Sequence, residues 1–155
     1  MNADTDAQRV VLPAPRGGAD ARAWFTAYLV ALAAVAFWPT PVDRGASGLL
    51  DAITRAVPWL TYDLIEVTAN LLLFVPFGGL LALVVTPRGL VVPIAFAATL
   101  AIETLQALLL SERTPSVRDV VANTLGATLG LLLVLLVQRL RRARARRGES
   151  TSRRA

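Results

Sequence analysis

The stretch "VVANTLGATLGLLLVLLVQRLRRARARR", Val120 to Arg147, decides the fold. Its first part, Val120 to Val137, carries no charge and meets the roughly 17–25 residues that a membrane-spanning helix needs. Six arginines follow directly, and a high density of Lys and Arg beside a span marks the end that stays in the cytoplasm. This stretch therefore predicts a helix that crosses the membrane and ends on the cytoplasmic side.

The composition of the whole chain agrees with a membrane protein. The chain has 155 residues, of which 55% are hydrophobic and 17% charged, whereas a soluble domain has about 45–50% apolar and about 25% charged residues. It contains no Cys and no His, which excludes disulfides and thiolate metal sites and removes the commonest general base. We predict no metal site and no cofactor.

Three further apolar runs lie upstream, at Trp24–Trp38, Leu64–Val85 and Leu90–Leu110. The predicted fold is all-α, an integral membrane bundle of four transmembrane helices. The first run is short for a span, but its terminal tryptophans suit the two membrane interfaces. The alternative for this run is a cleaved signal peptide, because "AVA" at Ala34–Ala36 resembles a cleavage site; the long, acidic segment before the run argues against it.

Arginine placement predicts the topology. All sixteen basic residues are Arg, and half of them lie in the segment 139–155, which we assign to a basic cytoplasmic tail. Counting spans back from it places the N-terminus inside and the hairpin Ser111–Asp119 outside, in a multi-pass protein of the plasma membrane. The tail is expected to contact anionic lipid rather than nucleic acid, because it directly follows a span. Residues 1–22 are predicted to be a disordered cytoplasmic segment, residues 23–138 the membrane domain, and the last fifteen residues disordered.

Polar residues of three spans fall in one layer near the outer face. At 1.5 Å per residue, Glu103 lies about 10 Å, Asn70 about 9 Å and Asn123 about 5 Å below that face. Each has a second polar residue three or four positions away, which places the pair on one helix face; these neighbours are Gln106, Glu66 and Asp119. Ionisable groups inside a membrane usually face the bundle interior. We therefore expect a polar pocket open to the outer leaflet, with Arg113 and Arg118 in the hairpin above it.

Small residues and prolines suggest how the helices pack. Gly126 and Gly130 form a GxxxG pattern, which lets helix backbones approach closely. Pro76 and Pro93 are expected to kink or open their helices. The alternative for Asn70, Gln106 and Asn123 is that they are only interhelical hydrogen-bond partners.

Two segments resemble the VanZ-like family of small bacterial membrane proteins. "EVTANLLLFVPFGGLLAL" (Glu66–Leu83) is similar to that family's N-x-x-x-F-x-P-x-G pattern, and "IETLQALLLSERTPSVRDVVANTLGATLG" (Ile102–Gly130) is similar to its E-x-x-Q, R and D-x-x-x-N-x-x-G-x-x-x-G series. The long polar N-terminus and the hairpin residues 114–116 depart from the pattern. The positions that match are Asn70, Pro76, Gly78, Glu103, Gln106, Arg113, Asp119, Asn123 and Gly126.

The resemblance implies an association with low-level resistance to the glycopeptide teicoplanin. The function we expect is binding of an envelope lipid or a lipid-linked cell-wall intermediate, with Arg113 and Arg118 on a phosphate, since guanidinium binds phosphate bidentately. The ligand-binding set is Glu66, Asn70, Glu103, Gln106, Arg113, Asp119 and Asn123. Two alternatives stay open: an enzyme that uses Glu103 as general base on a lipid headgroup, and a structural subunit of a larger membrane complex.

Overall fold

Four long helices make up most of the regular structure of the described residues. A computed structural model of the chain describes residues 17–38, 48, 51–52, 54–57, 59–110 and 116–152. Helix α1 runs Gly17–Ala36, α2 Tyr62–Val84, α3 Val91–Leu109 and α4 Val117–Ser152, and a 3-10 turn at Arg88–Leu90 precedes α3. The helices follow the four apolar runs, because backbone groups in lipid must be hydrogen-bonded within their own segment.

Helix α2 begins and ends at identifiable signals. Thr61, in an extended conformation, caps its start, and the Thr61 hydroxyl accepts a hydrogen bond from the N–H of Leu64 at 3.3 Å. The helix ends before Thr86-Pro87, since the residue that precedes a proline is biased away from the helical region. The Nε of Arg88 donates to the carbonyl of Ala82 at 3.3 Å, which places a cation at the negative end of the helix.

Three of the described helices are long and apolar enough to cross a membrane: α2, the helical segment Arg88–Leu109 that contains α3, and α4 over Val117–Arg147. The expected fourth helix, α1, is present but is not one of these three. It carries Asp20 and Arg22 near its start, and its apolar part from Trp24 to Ala36 is about 20 Å long at 1.5 Å per residue. That length is below the roughly 30 Å of a hydrocarbon core. The architecture is thus an all-helical membrane bundle with three clear candidate spans.

The most extensive helix pair is α2 with α4, which touch through glycines. A Cβ placed on Gly78 would overlap the backbone of Ala127, one on Gly126 the carbonyl of Leu71, and one on Gly130 the carbonyl of Val75. Backbones this close increase van der Waals contact, which is a main source of helix association in lipid. Gly126 and Gly130, singled out by their spacing, lie at this contact.

Helix α1 docks on α2. Leu32 of α1 joins the buried cluster that includes Phe74, Phe77 and Leu81 of α2. The hydroxyl of Tyr28 donates to the carbonyl of Leu73, three residues before Pro76. Pro76 removes the backbone donor for the carbonyl of Leu72, four residues earlier, so the bond from Tyr28 lies beside that carbonyl and serves to hold α1 against α2.

Several expectations for the termini and prolines need correction. Residues 17–22, assigned to a disordered segment, are the first turns of α1, while residues 1–16 lie outside the described part. The tail, expected to be disordered over its last fifteen residues, is helical as far as Ser152. Pro93 does not kink a span, because it lies in the first turn of α3, where a missing N–H costs little. The helix of the tail continues α4 because its alternating Arg and Ala residues are good helix formers.

Candidate functional site

A cavity of about 360 Å³ opens at one end of the bundle. All four helices line it: the C-terminal ends of α1 and α3 and the N-terminal ends of α2 and α4. The four helices therefore alternate in direction, and the arginine-rich end of α4 lies at the opposite end from the cavity. A volume of this size is within the range of small-molecule sites, about 300–1,000 Å³.

Six of the seven predicted ligand-binding residues line this cavity. They are Glu66, Asn70, Glu103, Gln106, Asp119 and Asn123. Counted from the helix ends, Asn70 is about 12 Å, and Glu103 and Asn123 are each about 9 Å, inside the bundle at 1.5 Å per residue. The common depth inferred from the sequence brings these side chains to one place. Arg113, the seventh residue, lies outside the described part of the chain.

The remaining walls of the cavity are mostly apolar. The lining residues of this kind come from three helices: Leu32, Val35 and Ala36 of α1, Ile65, Ala69, Leu73 and Phe74 of α2, and Ile102 of α3. Tyr62 of α2 also contributes. Apolar walls with a few convergent polar groups are the usual composition of a site for an amphiphilic ligand.

Glu103 is buried and connects α3 to the start of α4. Its Oε2 accepts a hydrogen bond from the backbone N–H of Ser116 at 2.9 Å. The Ser116 hydroxyl in turn accepts from the N–H of Asp119 at 3.3 Å, which caps α4. A hydrogen bond to a carboxylate is stronger than one between neutral groups. The Glu103 side chain therefore positions the end of the hairpin as well as lining the cavity.

Gln106 links α3 to the C-terminal end of α1. Its Nε2 donates to the carbonyl of Ala36 at 2.7 Å, one of the last four carbonyls of α1, which have no partner within the helix. Gln106 is buried. The bond thus holds the C-terminal end of α1 beside α3 and forms part of the cavity wall.

Asn123 is held by one hydrogen bond and has one unused acceptor. Its Nδ2 donates to the hydroxyl of Thr99 at 2.9 Å. Its Oδ1 has no hydrogen-bond partner among the described residues, although Asn123 is only 4% exposed. Buried polar atoms in native proteins nearly always have a partner, and exceptions point to a bound water, ion or ligand.

Arg118, predicted to lie above the pocket, does not line the cavity but interacts electrostatically with the cavity residues Glu66 and Asp119. Its guanidinium pairs with the carboxylate of Asp63 at 2.5 Å, and both side chains are more than 60% exposed, at 65% and 61%. An exposed pair of this kind contributes about 0–1 kcal/mol. Arg118 joins the starts of α2 and α4 on the outside of the bundle.

Two residues of the site were not singled out from the sequence. Thr99 lies four positions before Glu103, on the same helix face, and is fully buried. The spacing of Thr99, Glu103 and Gln106 was a usable signal, because the three form one buried polar stripe on α3. Ser116 gave no comparable signal, since its bond to Glu103 depends on how the hairpin folds back.

The acidic residues do not form a metal centre in the described part of the chain. No group of three His, Cys, Asp or Glu side chains there is placed to hold a metal ion. The carboxylates of Glu66, Glu103 and Asp119 instead lie on three different helices around the cavity.

The family model for VanZ/LLP1 matches residues 25–138. The match covers α1 from residue 25, all of α2 and α3, and α4 up to the start of the tail, and it confirms the resemblance seen in the motifs. The chain belongs to this family. No curated protein and no solved structure matches the chain.

Proposed function

We propose that this member of the VanZ/LLP1 family binds an envelope lipid or a lipid-linked cell-wall intermediate in the cavity between its helices. One observation carries the proposal: apolar and polar residues of all four helices surround one cavity at a single end of a membrane bundle. A lipid has the same two parts, a chain for the apolar walls and a headgroup for the polar layer. Through that lipid the protein would alter susceptibility to teicoplanin-type glycopeptides.

The proposed topology places the cavity in the outer leaflet of the plasma membrane. The short helix α1 acts as the fourth span, with Trp24 and Trp38 near the interfaces. Arginines of the α4 extension hold that end in the cytoplasm and contact anionic lipid. Because the helices alternate in direction, both termini lie inside and the cavity faces out.

Single cysteines test this topology without background, because the chain contains no Cys. Cysteines at positions 114 and 150 are treated with an impermeant maleimide on intact cells. We expect Thr114→Cys to be labelled and Ser150→Cys to be labelled only after permeabilisation. The reverse pattern overturns the outer-leaflet location.

Filling the cavity tests lipid binding. Ala69 and its neighbour Thr68 are both exposed, but only Ala69 lines the cavity. Ala69→Phe should displace lipid that co-purifies with the protein, while Thr68→Phe adds the same ring outside the cavity and should retain it. Native mass spectrometry at matched yield measures the lipid. Equal retention by the two variants contradicts binding in the cavity.

The link to glycopeptides needs a separate measurement. Teicoplanin susceptibility is compared in cells that express the wild type, Ala69→Phe or Thr68→Phe at equal membrane abundance. We expect Ala69→Phe alone to behave like cells without the protein. If Ala69→Phe binds no lipid and its cells still show the wild-type susceptibility, the proposed link between lipid binding and glycopeptides is wrong.

A further inference from the structure

In the Asn123 amide, Nδ2 donates to Thr99 and Oδ1 is the atom without a hydrogen-bond partner among the described residues. Thr99, on α3, accepts the Nδ2–H bond at 2.9 Å, and Thr99 is fully buried with no share in the cavity lining. Asn123 does line the cavity, one helical turn further into the bundle than Asp119. Thr99 is therefore a positioning residue, which fixes which end of the amide is left for a ligand.

An unused acceptor selects the chemistry of its partner. Oδ1 of Asn123 accepts hydrogen bonds and donates none, so it pairs with a hydroxyl or an amine and not with an ionised phosphate. The acceptor-only carboxylate of Asp119 lies four residues away on the same face of α4. Together they form a pair of acceptors on one wall.

The described walls of the cavity offer no guanidinium. Arg118, the described arginine nearest in sequence to this wall, is not a lining residue. It pairs with Asp63 at 2.5 Å and reaches Asp119 and Glu66 only through longer-range electrostatic attraction. A phosphate placed between Asp119 and Asn123 would meet acceptors and a carboxylate, and like charges repel at short range. A lipid phosphate is therefore expected to bind closer to the hairpin than the position of Asn123.

We infer that the wall formed by Asn123 and Asp119 binds a hydroxyl-bearing part of the lipid headgroup, a sugar or a glycerol. This rests on the proposed function and adds the class of headgroup to it. The hydroxyl hydrogens meet Oδ1 of Asn123 and the Asp119 carboxylate, the phosphate or glycosidic link lies toward the hairpin, and the chain follows the apolar walls.

Three lipids with identical acyl chains test the inference on the full chain in micelles. Monoglucosyl diacylglycerol carries sugar hydroxyls, phosphatidylglycerol carries glycerol hydroxyls and a phosphate, and phosphatidic acid carries a phosphate alone. Native mass spectrometry of the protein with an equimolar mixture gives the relative occupancy of each lipid. We expect phosphatidic acid to bind least, and the order of the other two shows whether sugar or glycerol is the source of the hydroxyls.

Substitutions at the acceptor should remove this preference. Asn123→Leu should lower the ratio of hydroxyl-bearing lipid to phosphatidic acid about threefold to tenfold, the usual effect of one lost neutral hydrogen bond. Thr99→Val frees the amide to rotate and should lower the same ratio by a smaller factor. Gln138→Leu, the same kind of change on α4 but about 22 Å from Asn123 along the helix, should leave it unchanged.

The results separate this inference from the function on which it rests. If all three lipids bind and phosphatidic acid binds as well as the others, or if neither Asn123→Leu nor Thr99→Val changes the ratio, the inference is wrong and lipid binding stands. If no lipid is retained above the level of Ala69→Phe, the proposed function itself is wrong. Should Asn123→Leu fail to accumulate, the ratio for Thr99→Val decides.

Discussion

Gly78 and Gly79 are neighbours on α2, yet alanine should have opposite effects at the two positions. A Cβ on Gly78 would lie 2.5 Å from both the Cα and the carbonyl carbon of Ala127, whereas a Cβ on Gly79 would lie 3.6 Å from the carbonyl oxygen of Gly130 and 3.7 Å from Val134. Non-bonded carbons prefer about 3.5–4.0 Å. Gly78→Ala therefore requires α2 and α4 to separate by about 1 Å, and Gly79→Ala requires no movement.

The expected change in the free energy of unfolding is the sum of two contributions. Overpacking against backbone, which cannot rotate away, costs about 3 kcal/mol, the upper end of the usual range. Alanine in place of glycine in a helix recovers up to about 1 kcal/mol. Gly78→Ala should therefore destabilise the protein by about 2 kcal/mol, while Gly79→Ala should be neutral or stabilise it by up to about 1 kcal/mol.

The assay is the free energy of unfolding, measured by titrating SDS into mild-detergent micelles and following helicity. Both variants carry the same chemical change one residue apart, so each is the control for the other. Free energies that agree within about 0.5 kcal/mol would refute the α2–α4 contact at this register. A stable Gly78→Ala with an unstable Gly79→Ala would mean that α2 is rotated by about 100°, so that Gly79 instead of Gly78 faces the backbone of α4.

Three further outcomes are expected. Tyr28→Phe removes the bond to the carbonyl of Leu73 and should lower the free energy of unfolding by about 0.6 kcal/mol, the average for such bonds in membranes; no change would show that α1 docks without it. Glu103→Gln keeps an oxygen for the Ser116 N–H, so membrane abundance should stay normal while co-purified lipid falls. If Glu103 is instead one half of a structural ion pair, breaking that pair costs about 3–5 kcal/mol and abundance collapses. Arg113→Lys keeps the charge but loses the planar fork, so it should weaken lipid retention nearly as much as Arg113→Ala at equal abundance; wild-type retention by Lys alone would reduce the role of Arg113 to charge.

The spans could be predicted from the sequence because a membrane leaves few alternatives. The runs Leu64–Val85 and Leu90–Leu110 match α2 and α3 within two residues at each end. In lipid the backbone must satisfy its own hydrogen bonds, so length and hydropathy suffice. Depth along a helix also follows from residue number alone, which is why polar residues predicted at one level line one cavity.

The side-chain partners could not be predicted in the same way. They depend on how each helix is rotated and on how the connections fold, and neither is visible in the period of an apolar run. The exposed partner of Arg118, Asp63, for example, could not be read from the sequence, because the two residues lie on different helices. Thr99 is a weak signal in the sequence, because a single threonine in an apolar helix commonly bonds to its own backbone.

The glycine contact and the cavity meet at one level of the α2–α4 pair. Gly126 lies three residues after Asn123, and a Cβ there would come within 3.1 Å of the Cβ of Phe74, which itself lines the cavity. The cavity therefore ends where the absence of side chains lets the two backbones touch. A larger residue at Gly126 would push Phe74 and change the cavity floor together with the helix contact, so packing and binding cannot be separated at that position. Gly78 contacts Ala127 deeper in the bundle and does not line the cavity, so a change there acts on the helix contact alone.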